Sequence, residues 1–176
     1  MNRLIGAGVC AGIMLSMTLS TGANASSNAL AGKWHLQDAD STQAKLEDAV
    51  ENVAKEMNFF IRALARPVLK KQTQVCQQWS LGWQAEQFQW QCDDAVADVI
   101  PTSANGEVIK KDDEGIEISG TYQSMSDGVV VVLTSERGKR TNTWKQISEN
   151  ELQFTVKLES EKLPTPLTWS LTYKKP

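Results

Sequence analysis

On the stretch KRTNTWK, residues 139–145, the alternation of a strand puts Arg140, Asn142 and Trp144 on one face and Thr141, Thr143 and Lys145 on the other. If the tryptophan faces inward, the arginine and the asparagine do too. A guanidinium withdrawn from water must be paired or hydrogen-bonded. Its partner can be a protein carboxylate, an aromatic face or the anionic head of a bound molecule. Arg140, Asn142 and Trp144 are therefore candidate ligand-binding residues.

A second concentration of useful side chains lies in QVCQQWSLGWQAEQFQWQC. Cys76 and Cys92 there enclose Trp79, Trp83 and Trp90, half of the six tryptophans in the chain. Joining the two cysteines closes a loop of about 15 residues, a constraint of ~3 kcal/mol on the unfolded chain. With Cys76 opposite Cys92, a hairpin centres near Gln84, and Trp79 and Leu81 point to one face while Phe88 and Trp90 point to the other. A bulge that shifts one strand reunites these aromatics; otherwise both faces are covered. Cys76 and Cys92 are structural residues on this reading. Trp79 and Trp90 are core aromatics or further ligand contacts.

Most catalytic machinery is excluded by count. His35 is the single histidine, so a serine-type triad depends on it, and nothing recommends a nucleophile beside it. Metal sites built on several histidines or cysteines are not available. The acids Asp93, Asp94 and Asp98, then Asp112, Asp113 and Glu114, have no EF-hand spacing, and the second group falls on a turn. No phosphate-cradling glycine motif or nucleophile elbow is present. The expectation is a protein that is not an enzyme and carries neither metal nor cofactor. Arg62, Arg66 and Lys70 form a basic ridge at a helix end, either as favourable charge on the helix dipole or as a contact surface for an envelope protein.

The elements that must position these residues follow from periodicity. Residues 1–25 read as a secretory signal peptide: Arg3, an apolar run from Leu4 to Leu19 that includes Cys10, and Ala23-Asn24-Ala25 before the cleavage point. Export to the periplasm or beyond the cell provides the oxidising space in which Cys76 and Cys92 pair. After signal removal no segment is long and apolar enough to anchor the chain in a membrane. Residues 26–176 make one domain. The formal charge of −3 becomes one unit more negative once Arg3 leaves, which argues against nucleic acid. A first strand, LAGKWHLQ, precedes one long helix, in which Leu46, Val50, Val53, Met57, Phe60 and Leu64 form an apolar stripe and Pro67 stops or kinks the end. Asp40 and Gln43 suggest a capping box. Beyond Lys71 the period becomes two, with turn signals at Asn105-Gly106, Glu114-Gly115, Asp127-Gly128, Arg137-Gly138 and Glu149-Asn150. The fold class is mainly β: an antiparallel up-and-down barrel or strongly curled meander of about 8–10 strands, with the helix inserted after the first strand.

Gly32-Lys33-Trp34 on that first strand resembles the G-x-W signature of the lipocalins. The resemblance implies a calycin-type barrel in which Trp34 closes one end and packs on an arginine from a late strand, for which Arg140 is the match. It departs from the lipocalin pattern in placing its helix after the first strand rather than the last. It implies a non-enzymatic protein that binds a small apolar or amphiphilic ligand. The segments RALARPVL, RTNTW and LPTPLTWSLTYKK are in turn similar to small exported bacterial proteins, a resemblance that implies no activity.

Overall fold

Trp34 on β1 (Gly32–Leu36) lies directly opposite Trp79 on β2 (Gln78–Gln84), and this pair opens a single ten-stranded antiparallel sheet. A computed structural model of the chain describes residues 29–73 and 75–176. The leader expected over 1–25, with Cys10, lies outside the described residues. The remaining strands are β3 (Gln87–Cys92), β4 (Asp98–Pro101), β5 (Asn105–Lys111), β6 (Glu117–Ser124), β7 (Gly128–Ser135), β8 (Gly138–Ser148), β9 (Glu151–Glu159) and β10 (Leu167–Lys174). They run in meander order, except that β10 closes back onto β1. The two free edges are β4 and β5. Alternate residues are buried along β9 (Leu152, Phe154, Val156) and β10 (Leu167, Trp169, Leu171, Tyr173), as the period of two requires of a sheet with one interior face.

The barrel is nearly closed. Across the gap Ile100 of β4 packs on Gly120 of β6, where a Cβ would lie 2.8 Å from Ile100 Cδ1 and from Ile109 Cδ1. Gly120 leaves room for the tips of both isoleucines, which any side chain there would displace. Lys110 of β5 forms an ion pair with Asp98 of β4 over the same gap.

The helical segment after β1 is divided in two, α1 (Ala39–Ala54) and α2 (Phe59–Gln72). The break has local causes. Asn58 caps α2 by accepting from Ile61 N at 3.0 Å, and the Arg62 guanidinium donates to the carbonyls of Ala54, Lys55 and Met57 at the end of α1. Pro67 sits inside α2 without ending it. The apolar stripe splits accordingly: Leu46, Val50, Val53 and Met57 are buried, whereas Phe60 and Leu64 are exposed. The Asp40–Gln43 capping box does not form; Gln43 donates to Glu47, and the Ser41 and Thr42 hydroxyls donate to the Asp38 carbonyl.

Cys76 and Cys92 are joined in a disulfide, with Cα atoms 5.2 Å apart. The hairpin register differs from a direct Cys76–Cys92 pairing. Cys92 lies opposite Trp79, Trp90 opposite Leu81 and Phe88 opposite Trp83, so every aromatic of the hairpin faces the interior. A two-residue turn at Ala85-Glu86, both at positive φ, sets this register without a bulge. The disulfide therefore ties the entry to β2, rather than a paired strand position, to the end of β3.

Candidate functional site

Strand register stacks the interior in layers from one end of the barrel to the other. At the mouth, Leu133, Arg140, Leu158 and Leu167 occupy successive neighbouring positions on β7, β8, β9 and β10. The next layer is Val131, Asn142, Val156 and Trp169, and the next Val129, Trp144, Phe154 and Leu171. Below the mouth the barrel is filled by its own rings. Trp79 contacts Phe154 at 4.7 Å between ring centres and meets Trp144 edge-on at 5.6 Å; Trp90 and Phe88 close on Trp144 from the other side at 5.7 and 5.4 Å. These rings pack around Trp144, which is wholly buried. The indole N–H groups of Trp144 and Trp169 have no hydrogen-bond partner among the described residues.

Above this plug lies an open cleft of about 520 Å³. Its floor is Leu133, Arg140 and Leu158, its roof Val68 and Leu69 of α2, and Leu163 of the β9–β10 connection forms a side wall. The size falls within the range of small-molecule sites. Cations also ring it: Lys110, Arg137, Lys139 and Lys162. Three of them are engaged with acids, Lys110 with Asp98, Arg137 with Glu114 and Asp112, and Lys139 with Glu159.

Arg140 is different. Its Nε donates to Asn142 Oδ1 at 2.9 Å, and it forms no ion pair among the described residues. Burial pushes the guanidinium below its ordinary value, opposed at longer range by Asp98, a carboxylate that Lys110 already holds. An arginine still keeps its proton. The result is a fixed positive charge at the bottom of an apolar cleft, with most of its five N–H groups free to donate.

The candidate residues from the sequence separate here. Arg140 lines the cleft, and Asn142, 4% exposed, sits one layer below and orients it. Trp79, Trp90 and Trp144 belong to the plug and do not line the cleft. The expected packing of Arg140 on Trp34 is not what the structure shows. Lys175 lies over the Trp34 ring at 4.9 Å, and the Trp34 indole donates to Leu30 O at 2.8 Å. The reason is position along the barrel: Arg140 belongs to the layer of Leu167, whereas β1 meets β10 at Tyr173, six residues and roughly 20 Å further along the strand. Gly32, with φ at 118°, provides the backbone turn that begins this strand.

The basic ridge is spent within the helical hairpin. Arg66 holds Glu51 through two hydrogen bonds of 2.7 and 2.8 Å, and Lys70 approaches Glu47 at 3.6 Å. The Arg66 hydrogen bonds keep the Glu51 carboxyl below the usual carboxylate range. Sequence reading missed the α2 contribution to the cleft, because Val68, Leu69 and Gln72 stand beyond Pro67, where the helix was expected to stop or kink.

No protein-family model matches the sequence, and no curated protein does. Solved structures do match. The fatty-acid-binding protein 1 of Echinococcus granulosus is 12% identical, with a TM-score of 0.50 over 84% of this chain and 98% of that one. The likeness is one of fold, a nearly closed antiparallel barrel with helices after the first strand. A Schistosoma mansoni fatty acid binding protein in complex with arachidonic acid is 10% identical over 86% and 98% of the two chains, TM-score 0.49. The zebrafish ileal bile acid-binding protein with cholic acid is 12% identical over 84% and 99%, TM-score 0.46.

Proposed function

We propose that this protein is a non-enzymatic carrier of a small amphiphile, with the anionic head at Arg140 and the apolar body in the mouth cleft beneath α2. The observation that carries the reading is the pairing of a partly desolvated guanidinium, which has no carboxylate partner among the described residues, with an apolar floor and roof. A lone charge in such a place is costly unless an anion joins it, and an apolar cleft selects a ligand that is mostly hydrocarbon. The likeness to the Echinococcus granulosus fatty-acid-binding protein is one of fold, and the lining of the cleft supports the choice of occupant. The Cys76–Cys92 disulfide supports an oxidising location, and we place the mature chain in the periplasm or outside the cell. An envelope-protein contact through the basic ridge loses its main support, since Arg62, Arg66 and Lys70 all have partners on or at the end of α1.

Native mass spectrometry of protein purified from its own host, with calorimetric titration of oleate and of dodecylamine, tests this. A co-purifying acidic lipid mass and saturable oleate binding with no binding of the amine is expected. Equal binding of both, or of neither, overturns the assignment of the anion to Arg140.

A further inference from the structure

The cleft opens beside α2, and the barrel below it is packed with its own rings. One wall of the cleft continues into an exposed apolar surface. Val68, which roofs the cleft, is 60% exposed, and along the same side of α2 stand Leu64 at 76% and Phe60 at 81% exposed. Their spacing of four residues makes a continuous ridge, and Phe59, itself 76% exposed, meets Phe60 edge-on at its far end. Nothing among the described residues covers this ridge. Large apolar side chains concentrated in one patch are unusual on a monomer surface unless something binds there.

We propose that the tail of an amphiphile anchored at Arg140 leaves the cleft over Val68 and lies along Leu64 and Phe60. The ligand's own hydrocarbon covers the outer face of α2. This rests on the reading of the cleft given above, and it adds the class of ligand: a long-chain carboxylate or comparable single-chain anion, bound head inward and tail outward. From Val68 to Phe60 the helix advances ~12 Å at 1.5 Å per residue, so a short chain ends in the cleft and only a long one reaches the ridge. A fully buried methylene raises affinity about fourfold, and one lying on an open helix face about half as much in free energy, or about twofold.

The test is a chain-length series, octanoate through myristate to oleate, titrated calorimetrically into the mature protein, into Phe60→Ser/Leu64→Ser, and into Arg140→Gln. Both ridge positions are exposed, so the double variant should fold with an unchanged melting temperature, measured first. Affinity should climb with chain length in the wild-type protein. In the double variant oleate should weaken on the order of tenfold while octanoate changes less than about twofold, and Arg140→Gln should weaken both. Octanoate binding that depends on Arg140, with an oleate advantage that survives the ridge substitutions, overturns the tail assignment and leaves the cleft reading standing. Absence of binding by any chain overturns both. If the ridge substitutions abolish co-sedimentation with phosphatidylglycerol vesicles while the oleate advantage remains, the ridge serves a bilayer and the tail assignment is overturned.

Discussion

Arg140 and Asn142 point into the barrel from alternate positions on β8, joined by one hydrogen bond of 2.9 Å from the guanidinium Nε to the amide oxygen. The asparagine is the only group among the described residues that meets the arginine at hydrogen-bond distance, and it brings no charge. Replacing Arg140 by methionine should therefore leave the melting temperature of the unliganded protein unchanged or raise it, because an unpaired charge leaves a poorly hydrated place. Oleate should then bind on the order of tenfold or more weakly, the scale of a lost charged hydrogen bond. Thermal unfolding with and without oleate checks both halves; a large loss of apo stability contradicts the role given to this residue.

Lys175 over Trp34 makes a second, separable pair. Trp34 is wholly buried and its ring carries the lysine at 4.9 Å, while Lys175 Nζ also donates to the Ala29 carbonyl. Trp34→Ala and Lys175→Ala should show a coupling of about 0.5–1 kcal/mol in a double-mutant cycle, the size of a surface cation–π contact. Trp34→Ala and Arg140→Ala should add within about 0.5 kcal/mol, as distant sites do. A strong Trp34–Arg140 coupling contradicts their placement at opposite ends of the barrel.

The β2–β3 turn offers a stabilising change. Ala85 at φ 47° and Glu86 at φ 60° both adopt left-handed backbone that side chains with a Cβ disfavour, in a two-residue hairpin where Asn-Gly is the preferred sequence. Substituting Ala85→Asn with Glu86→Gly should raise stability by ~1 kcal/mol, measured by urea denaturation of the otherwise native chain. A loss in place of a gain means that this turn is not type I′.

The same turn explains where the sequence was readable and where it was not. Strands β6 to β10 announce themselves through alternation and through Gly115, Gly128 and Gly138 at their turns, and the barrel, the strand count and the inward face of Arg140, Asn142 and Trp144 follow from that. Ala85-Glu86 carries no such punctuation, and the two cysteines suggested a register three residues away from the real one. The Asn105-Gly106 signal fell at the start of β5 rather than in a hairpin. The helical stripe was legible as apolar, but periodicity says only that a face is apolar, not what covers it. Asn58 and Arg62 break the helix and turn Phe60 and Leu64 outward, through contacts between residues three to eight apart that no hydrophobic period encodes.

Tyr173 gives the fold an alkaline limit. Its hydroxyl donates to the Cys76 carbonyl at 3.0 Å next to the disulfide, the residue is fully buried, and burial raises the phenol well above its ordinary value. Below about pH 10, the ordinary phenol value, folded and unfolded chains both hold the proton and the group's stabilisation is intact. Above it the unfolded chain sheds the proton while the folded chain keeps it, so stability drains away as pH rises, by about 1.4 kcal/mol per pH unit for this one group. Tyr173→Phe should lower stability at neutral pH by ~1–3 kcal/mol, since a buried carbonyl loses its partner. It should also remove the phenol's share of the alkaline slope, so that the gap between wild type and variant narrows as pH climbs from about 9 to 11. Urea unfolding of both proteins across that range measures the gap directly. A gap that stays constant means the folded phenol ionises as readily as the unfolded one, and that the Tyr173–Cys76 contact admits water.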